Sequence, residues 1–290
     1  MTGRIRATFE DAGARGWLHA VSLQHPEQTV ELDPDVVVPV ASVYKLPLLV
    51  AFCHLVDTGE LDPREQLTLQ PADRIPGPTG LSILRDPVTM SLRDLAVMMM
   101  TASDNAAADA LLNQVGVERL ADLLRSFGLE HTQVRRGAAG NLNELRRRTG
   151  ASDVDAAFAV LADNDQTDPV GVYDAAGMAA SSARDMTTLL ADLWSGRLLS
   201  DEQTAFAQTL MQQQVFSQRL AAGFPYDGVR VAGKTGTFGA LRHEVGVIVM
   251  PAGDAYAIAV FTHAARGDQR LPRVDAAIGE AARLAIDHLR

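Results

Sequence analysis

Ser42 and Lys45 stand three residues apart at the head of an apolar run, Leu46-Pro47-Leu48-Leu49-Val50-Ala51-Phe52. Residues at that spacing share a helix face, so the pair sets a hydroxyl beside an amine. The stretch reads as the first turn of a buried helix, with Ser42 in the capping position and Pro47 early enough to be tolerated. Burial disfavours the charged amine and lowers its pKa. A neutral lysine beside a serine is a base beside a nucleophile. The same four residues could equally be the plain cap of a core helix, so the rest of the chain decides. Two further polar clusters interrupt apolar sequence, Ser103-Asp104-Asn105 and Lys234-Thr235-Gly236, each at an element boundary.

The elements that must position these clusters follow from periodicity. Residues 16–23 and 28–32 read as strands around the turn His25-Pro26-Glu27. The Ser42 helix runs to about Thr58-Gly59. Residues 60–90 are rich in Pro, Gly and Thr, with Ile75–Gly80 the clearest loop. Ser91 caps a helix, with Asp94 as its reciprocal partner and Leu92, Leu95, Ala96, Met99 and Met100 as its apolar stripe. Helices over Ala106–Leu112 and Val117–Phe127 follow. Residues 135–180 are the least regular, with a short helix around Asp153–Leu161. Helices capped by Ser182 with Asp185 and by Ser200 with Gln203 come next. Val229–Ala232, Val245–Met250 and Ala255–Phe261 read as strands, and Arg273–Leu289 as a closing helix.

Strands at both ends and helices between them predict an α/β (α+β) fold. One antiparallel sheet is assembled from the N- and C-terminal parts and flanked by helices, with an all-helical subdomain inserted. The expected organisation is a single domain over 1–290, in which 1–58 and 215–290 form the sheet-containing part and 59–214 the helical part. A cleft between the two would hold the site.

The 290 residues are 47% hydrophobic but only 5% aromatic, so the core is mostly Leu, Val, Ala and Met. Lys+Arg 26 against Asp+Glu 36 gives a net charge of −10, which argues against nucleic acid and anionic membranes as partners. Arg146-Arg147-Arg148 reads as a solvated surface. Cys53 is the one cysteine and reads as a buried, inert thiol. The N-terminus lacks the apolar core of a signal peptide, and Leu46–Val56 is too short to span a bilayer. The expectation is a cytoplasmic protein, or a periplasmic or secreted one if a leader was removed. A monomer is favoured. The seven histidines show no ligand spacing, and no metal or other cofactor is expected.

Ser42-x-x-Lys45, Ser103-Asp104-Asn105 and Lys234-Thr235-Gly236, in this order, make the chain resemble the class A β-lactamases and penicillin-binding proteins from about Trp17 to the final helix. Met211-x-x-Gln214, Arg219-Leu220-x-x-Gly223-Phe224-Pro225 and Arg242-His243-Glu244-Val245-Gly246 resemble that family as well. The resemblance implies acyl transfer. Ser42 would attack a strained carbonyl, and Lys45 would take or relay its proton. The Ser42 and Thr237 N–H groups would form an oxyanion hole. Ser103 and Lys234 would shuttle the proton to the leaving nitrogen. Thr235, Thr237 and Arg242 would bind the substrate carboxylate along the edge strand that includes Gly236. Asn105 would bind the acylamide side chain, and Asn143 is a further binding residue. Asp104 is expected to be structural.

One departure bears on turnover. The family carries a glutamate in an irregular loop, three residues before a Leu-Asn pair, that activates the deacylating water. Leu142-Asn143 matches the pair, but Ala139 stands at the glutamate position. General base catalysis is worth roughly 10²–10⁴-fold, so acylation with slow release is expected. Glu144 is the alternative base. Three other functions compete: an esterase, amidase or peptidase on the same scaffold, a penicillin-binding sensor without turnover, and an NTP-binding loop at Gly228-x-x-x-x-Gly233-Lys234-Thr235. The last requires a helix after Lys234, where the sequence reads turn and strand. His243 reads as a strand histidine satisfied by its neighbours, against a cleft-facing role.

Overall fold

The computed structural model describes residues 1–75, 77, 79–162 and 171–290. Part of the expected Ile75–Gly80 loop and part of the long 146–178 segment lie outside the described residues. Strands β1 (Ala14–Ser22), β2 (Thr29–Leu32), β7 (Arg230–Phe238), β8 (Leu241–Val249) and β9 (Ala255–Ala264) form one antiparallel sheet in the order β2-β1-β9-β8-β7. The chain ends thus meet at its centre, where Trp17 pairs with Phe261. Two small antiparallel pairs accompany it, β3 (Val38–Pro39) with β6 (Ala180–Ser181) and β4 (Gln66–Leu69) with β5 (Val88–Ser91).

Both faces of the central strands are covered, so β8 and β9 are buried without alternation, including Arg242, His243 and Glu244 at the start of β8. On one face, Leu18, Ala20, Ile258 and Val260 pack against α1 (Thr2–Asp11) and α10 (Pro272–Leu289). On the other, Trp17, Val245, Val247, Ala259 and Phe261 join the larger core around α2 (Lys45–Asp57). Every residue of α2 from Lys45 to Cys53 is buried, the pattern of a helix surrounded by protein on all sides. It packs against α3 (Leu92–Thr101), α4 (Asn105–Val115), α5 (Val117–Ser126) and α9 (Asp201–Gln212). The remaining helices are α6 (Ala138–Thr149), α7 (Val154–Leu161) and α8 (Ala183–Trp194), the last lying on β1 and β9.

Local chemistry sets several helix starts. Ser91, Ser182 and Ser200 accept from the N–H groups of Asp94, Asp185 and Gln203, as their spacing predicts. The structure departs from the sequence expectation in several places, among them the start of β8 at Leu241 instead of Val245 and the strands β4 and β5 within residues 60–90. No helix was expected before β1, because α1 buries only Ile5 and Phe9, one turn apart. The strand expected to stop at Ala232 continues through the polar residues Lys234 to Thr237. The least regular stretch contains the twelve-residue helix α6. Ser42 does not cap α2, because it sits inside a 3₁₀ turn, Ala41–Tyr44, that precedes the helix.

Candidate active site

The Ser42 turn is held by its backbone. Ala41 has φ 47°, in the left-handed region, which costs a non-glycine residue about 1–3 kcal/mol. This reverses the chain after β3, and Val43 N–H then closes the turn onto Val40 O at 3.1 Å. The hydroxyl of half-buried Ser42 makes no hydrogen bond to the described residues. Strand β7 lies directly against the turn. A Cβ on Gly236 would stand 2.6 Å from Val40 O and 3.2 Å from Val43 N, so only glycine permits this approach.

Lys45 opens α2 with its side chain fully buried. Its Nζ donates to Ser103 O at 2.6 Å and to Asn105 Oδ1 at 2.7 Å, and lies 3.4 Å from Ser103 Oγ. From the edge strand, Lys234 Nζ donates to the same Ser103 Oγ at 2.9 Å and to Thr235 O at 2.9 Å. One serine hydroxyl thus lies between two buried amines. Burial brings the Lys45 pKa down to about 7, against smaller opposing effects of Asp104 and Asp109. Burial and then the charge of Lys45 hold Lys234 well below the ordinary lysine range. Ser103 itself has φ 55°, a second strained residue at the cluster.

Asp104 places Ser103 and Asn105. It is fully buried and caps α4 through Ala107 N–H at 2.8 Å, while its other oxygen takes Leu81 N–H. That is the structural role the sequence suggested.

Along β7, Thr235 N–H donates to Gln214 Oε1 at 2.6 Å and Thr235 O accepts from Lys234, so both groups point off the free edge of the sheet. In an antiparallel pair the orientation repeats every second residue, so Thr237 N–H faces outward too. The Thr235 hydroxyl also donates to Gln214 Oε1, at 3.0 Å, and Gln214 is fixed by buried Glu244 at 2.8 Å. The Thr237 hydroxyl accepts from Arg219 Nη2 at 2.7 Å, which leaves its own proton available.

Two expected residues are not brought into this cluster. Arg242 is 2% exposed and donates to the carbonyls of Gly239, Leu241, Asp268 and Gln269, so its guanidinium is consumed by backbone. Asn143 is exposed on α6 and bonds to none of the cluster. Arg219, also 2% exposed, is the arginine that reaches the Thr237 hydroxyl, anchored by Asp275 at 2.6 Å and by Gly236 O and His243 O. Glu144 is bound by Arg147 and Arg148, with Arg136 3.7 Å away. Hydrogen bonds from Arg147 and Arg148 hold its pKa at about 2, which makes it a poor base. His243 is fully buried. Its Nε2 meets Pro39 O at 2.9 Å and its Nδ1 accepts from Thr262 N–H at 3.1 Å, so it is satisfied by its neighbours. Lys234 lies within a strand that leads through a turn into β8, so no helix follows it to hold a phosphate.

The sequence profile of the β-lactamase enzyme family matches residues 1–289. The chain belongs to the β-lactamase enzyme family. A relative of known description is the β-lactamase regulatory protein BlaB of Streptomyces cacaoi, 30% identical over 99% of this chain and 96% of that protein. Among solved structures, a β-lactamase from Sphaerobacter thermophilus superposes with TM-score 0.80 at 24% identity, covering 99% of this chain and 95% of that one. A PBP-A variant, solved as an acyl-enzyme complex with penicillin G, gives TM-score 0.78 at 23% identity, with 99% and 96% covered. These two share the fold of this β-lactamase-family chain.

In this family member the contacts of Arg219, Gln214 and Glu244 with β7 are not predicted by their sequence positions, although their segments resemble the family. A compositional signal for the two amines was also present. Of 26 basic residues, 24 are arginine, and the only two lysines are Lys45 and Lys234. Among the described residues, no group of His, Cys, Asp or Glu could hold a metal, and no helix is long and apolar enough to cross a membrane.

Proposed function

We propose that this protein opens β-lactam amides by acyl transfer to Ser42 and releases the acyl group slowly. The observation that carries the reading is the set of partners around Lys45 Nζ. A neutral lysine has two N–H donors and one lone pair. Ser103 O and Asn105 Oδ1 take both donors at 2.6 and 2.7 Å, so the lone pair remains for the Ser42 proton. A pKa of about 7 keeps much of the amine neutral at physiological pH.

In this mechanism Ser42 Oγ bonds to the lactam carbonyl carbon as its proton passes to Lys45. The oxyanion is held by the N–H groups of Ser42 and Thr237. The C–N bond then breaks, and Ser103 Oγ gives its proton to the leaving nitrogen. Ser103 recovers a proton from Lys45 or Lys234, both of which contact its hydroxyl. The substrate carboxylate docks on the Thr237 hydroxyl, with the charge of Arg219 directly behind it, and beside Thr235, whose own proton is held by Gln214 Oε1. The acylamide lies along the free edge of β7 toward Asn105.

Release needs a base that activates water. Ala139 has no such group, and Glu144 is tied up by arginines. The 30% identity to a β-lactamase regulatory protein over 96% of its length supports a second reading, in which the stable acyl form is itself a signal. Intact mass after mixing with benzylpenicillin tests both. One added penicillin on the parent chain and none on Ser42→Ala is expected. Steady-state turnover without an adduct would refute slow release, and no adduct with no turnover would refute acyl transfer.

A further inference from the structure

Asp109 lies on α4 one helical turn beyond Asn105, which accepts from Lys45 Nζ at 2.7 Å. It is half-buried, and its two oxygens accept Ala138 N–H at 2.6 Å and Ala139 N–H at 2.8 Å. These are the first two N–H groups of α6, which have no partner within their own helix. A Cβ on Gly137 would collide with the Asp109 carboxylate, so the glycine that starts α6 is what lets the two helices meet there. Beside this junction the Tyr44 hydroxyl, one residue before Lys45, is buried without a hydrogen bond.

We infer that Asp109 is a positioning residue for the candidate active site: it clips the first turn of α6 to α4 and sets a fixed negative charge behind Lys45. The charges facing Lys45 are Asp104 and Asp109 from α4 and Lys234 from β7. Asp104 is committed to capping α4, whereas Asp109, one turn beyond the Asn105 that Lys45 bonds, holds the start of α6. Burial raises the pKa of Asp109, opposed by the two N–H groups and by Lys45. Ala139 therefore has its amide fixed by a carboxylate from another helix. The inference goes beyond the acyl-transfer reading and is testable without any substrate.

The scarcity of lysine makes the test direct. Protein labelled with ¹³Cε-lysine gives two side-chain signals, assigned by Lys45→Arg and Lys234→Arg. In Asp109→Asn the Lys45 midpoint is expected to fall by about 0.5–1 pH unit, because a carboxylate that favours the charged amine is gone. In Asp109→Ala the amides of Ala138 and Ala139 are expected also to exchange with solvent at least tenfold faster, while those of α10 keep their protection. An unchanged Lys45 midpoint in Asp109→Asn would overturn the electrostatic part. Unchanged exchange at 138 and 139 in Asp109→Ala would overturn the clip. If Asp109→Ala does not fold, Asp109→Asn decides both, since its NH₂ replaces one of the two accepting oxygens and would face an N–H donor. Failure of penicillin labelling leaves these outcomes untouched and counts against acyl transfer alone.

Discussion

Lys234 Nζ and Ser103 Oγ are 2.9 Å apart, and the same hydroxyl lies 3.4 Å from Lys45 Nζ. A hydroxyl so placed can hand a proton outward and be refilled from behind. In Ser103→Ala the rate of adduct formation with benzylpenicillin is expected to fall about 10²-fold or more, the usual weight of a positioned acid or base. Stopped-flow mixing followed by intact mass measures it. A fall below threefold would remove Ser103 from the proton path.

The lowered pKa of Lys45 fixes the sign of the pH dependence. Below pH 7 the amine is charged and its lone pair is lost. Above pH 7 it is free to accept the Ser42 proton. Acylation is expected to rise with pH and level off above an apparent pKa of about 7. Lys45→Arg remains charged and should abolish both the limb and most of the rate. A profile flat from pH 5 to 8 would contradict the assignment of Lys45 as base.

Arg219, and not Arg242, contacts the Thr237 hydroxyl. Removing Arg219 should weaken capture of a substrate carboxylate, seen as a roughly tenfold or larger loss in the second-order acylation rate. A penicillin methyl ester, which lacks that charge, should lose much less. The difference between the two substrates separates this from the structural effect of leaving Asp275 and two carbonyls without their donor. Arg242→Ala should instead lower thermal stability and leave the acylation rate of the folded fraction nearly unchanged.

Asp104→Ala strips the cap from α4 and leaves Leu81 N–H without its partner in buried surroundings. A loss of about 2–4 kcal/mol is expected from the cap and the orphaned donor together. Urea unfolding measures it, and a loss below 0.5 kcal/mol would show that the Ser103 turn is held by other means.

The parts of this fold that sequence makes legible are those whose causes are local. Ser91, Ser182 and Ser200 each bond three residues ahead, so their helices can be read from a few letters. The apolar runs of β8 and β9 report burial on both faces. The α6 start was not legible, because the groups that satisfy it belong to Asp109, 29 and 30 residues earlier. The Ser42 turn looked like a capped helix because nothing in Ala41 announces a positive φ. Arg219 does not stand out in the sequence, since which arginine reaches Thr237 depends on Asp275 in α10 and on the carbonyl of Gly236. Of the candidate site, Ser42, Lys45, Ser103, Asn105 and Lys234 could be named from three short motifs. The polar shell around them depends on distant packing.

Ala139 stands in the first turn of α6, with its N–H bound by Asp109 and its side chain half-buried. Ala139→Glu would supply a carboxylate where the chain has a methyl group, at a helix start that favours negative charge. Adduct lifetime is expected to shorten about 10²-fold or more, with acylation changed little. An unchanged lifetime would mean that water cannot reach the acyl group from this side.

The most direct measurement is an intact-mass time course of the parent chain and Ser42→Ala with benzylpenicillin at neutral pH. A single penicillin adduct that forms within seconds to minutes, persists for hours and is absent in Ser42→Ala is the expected result. An adduct of equal yield in Ser42→Ala, or none in the parent chain, would contradict acyl transfer through Ser42.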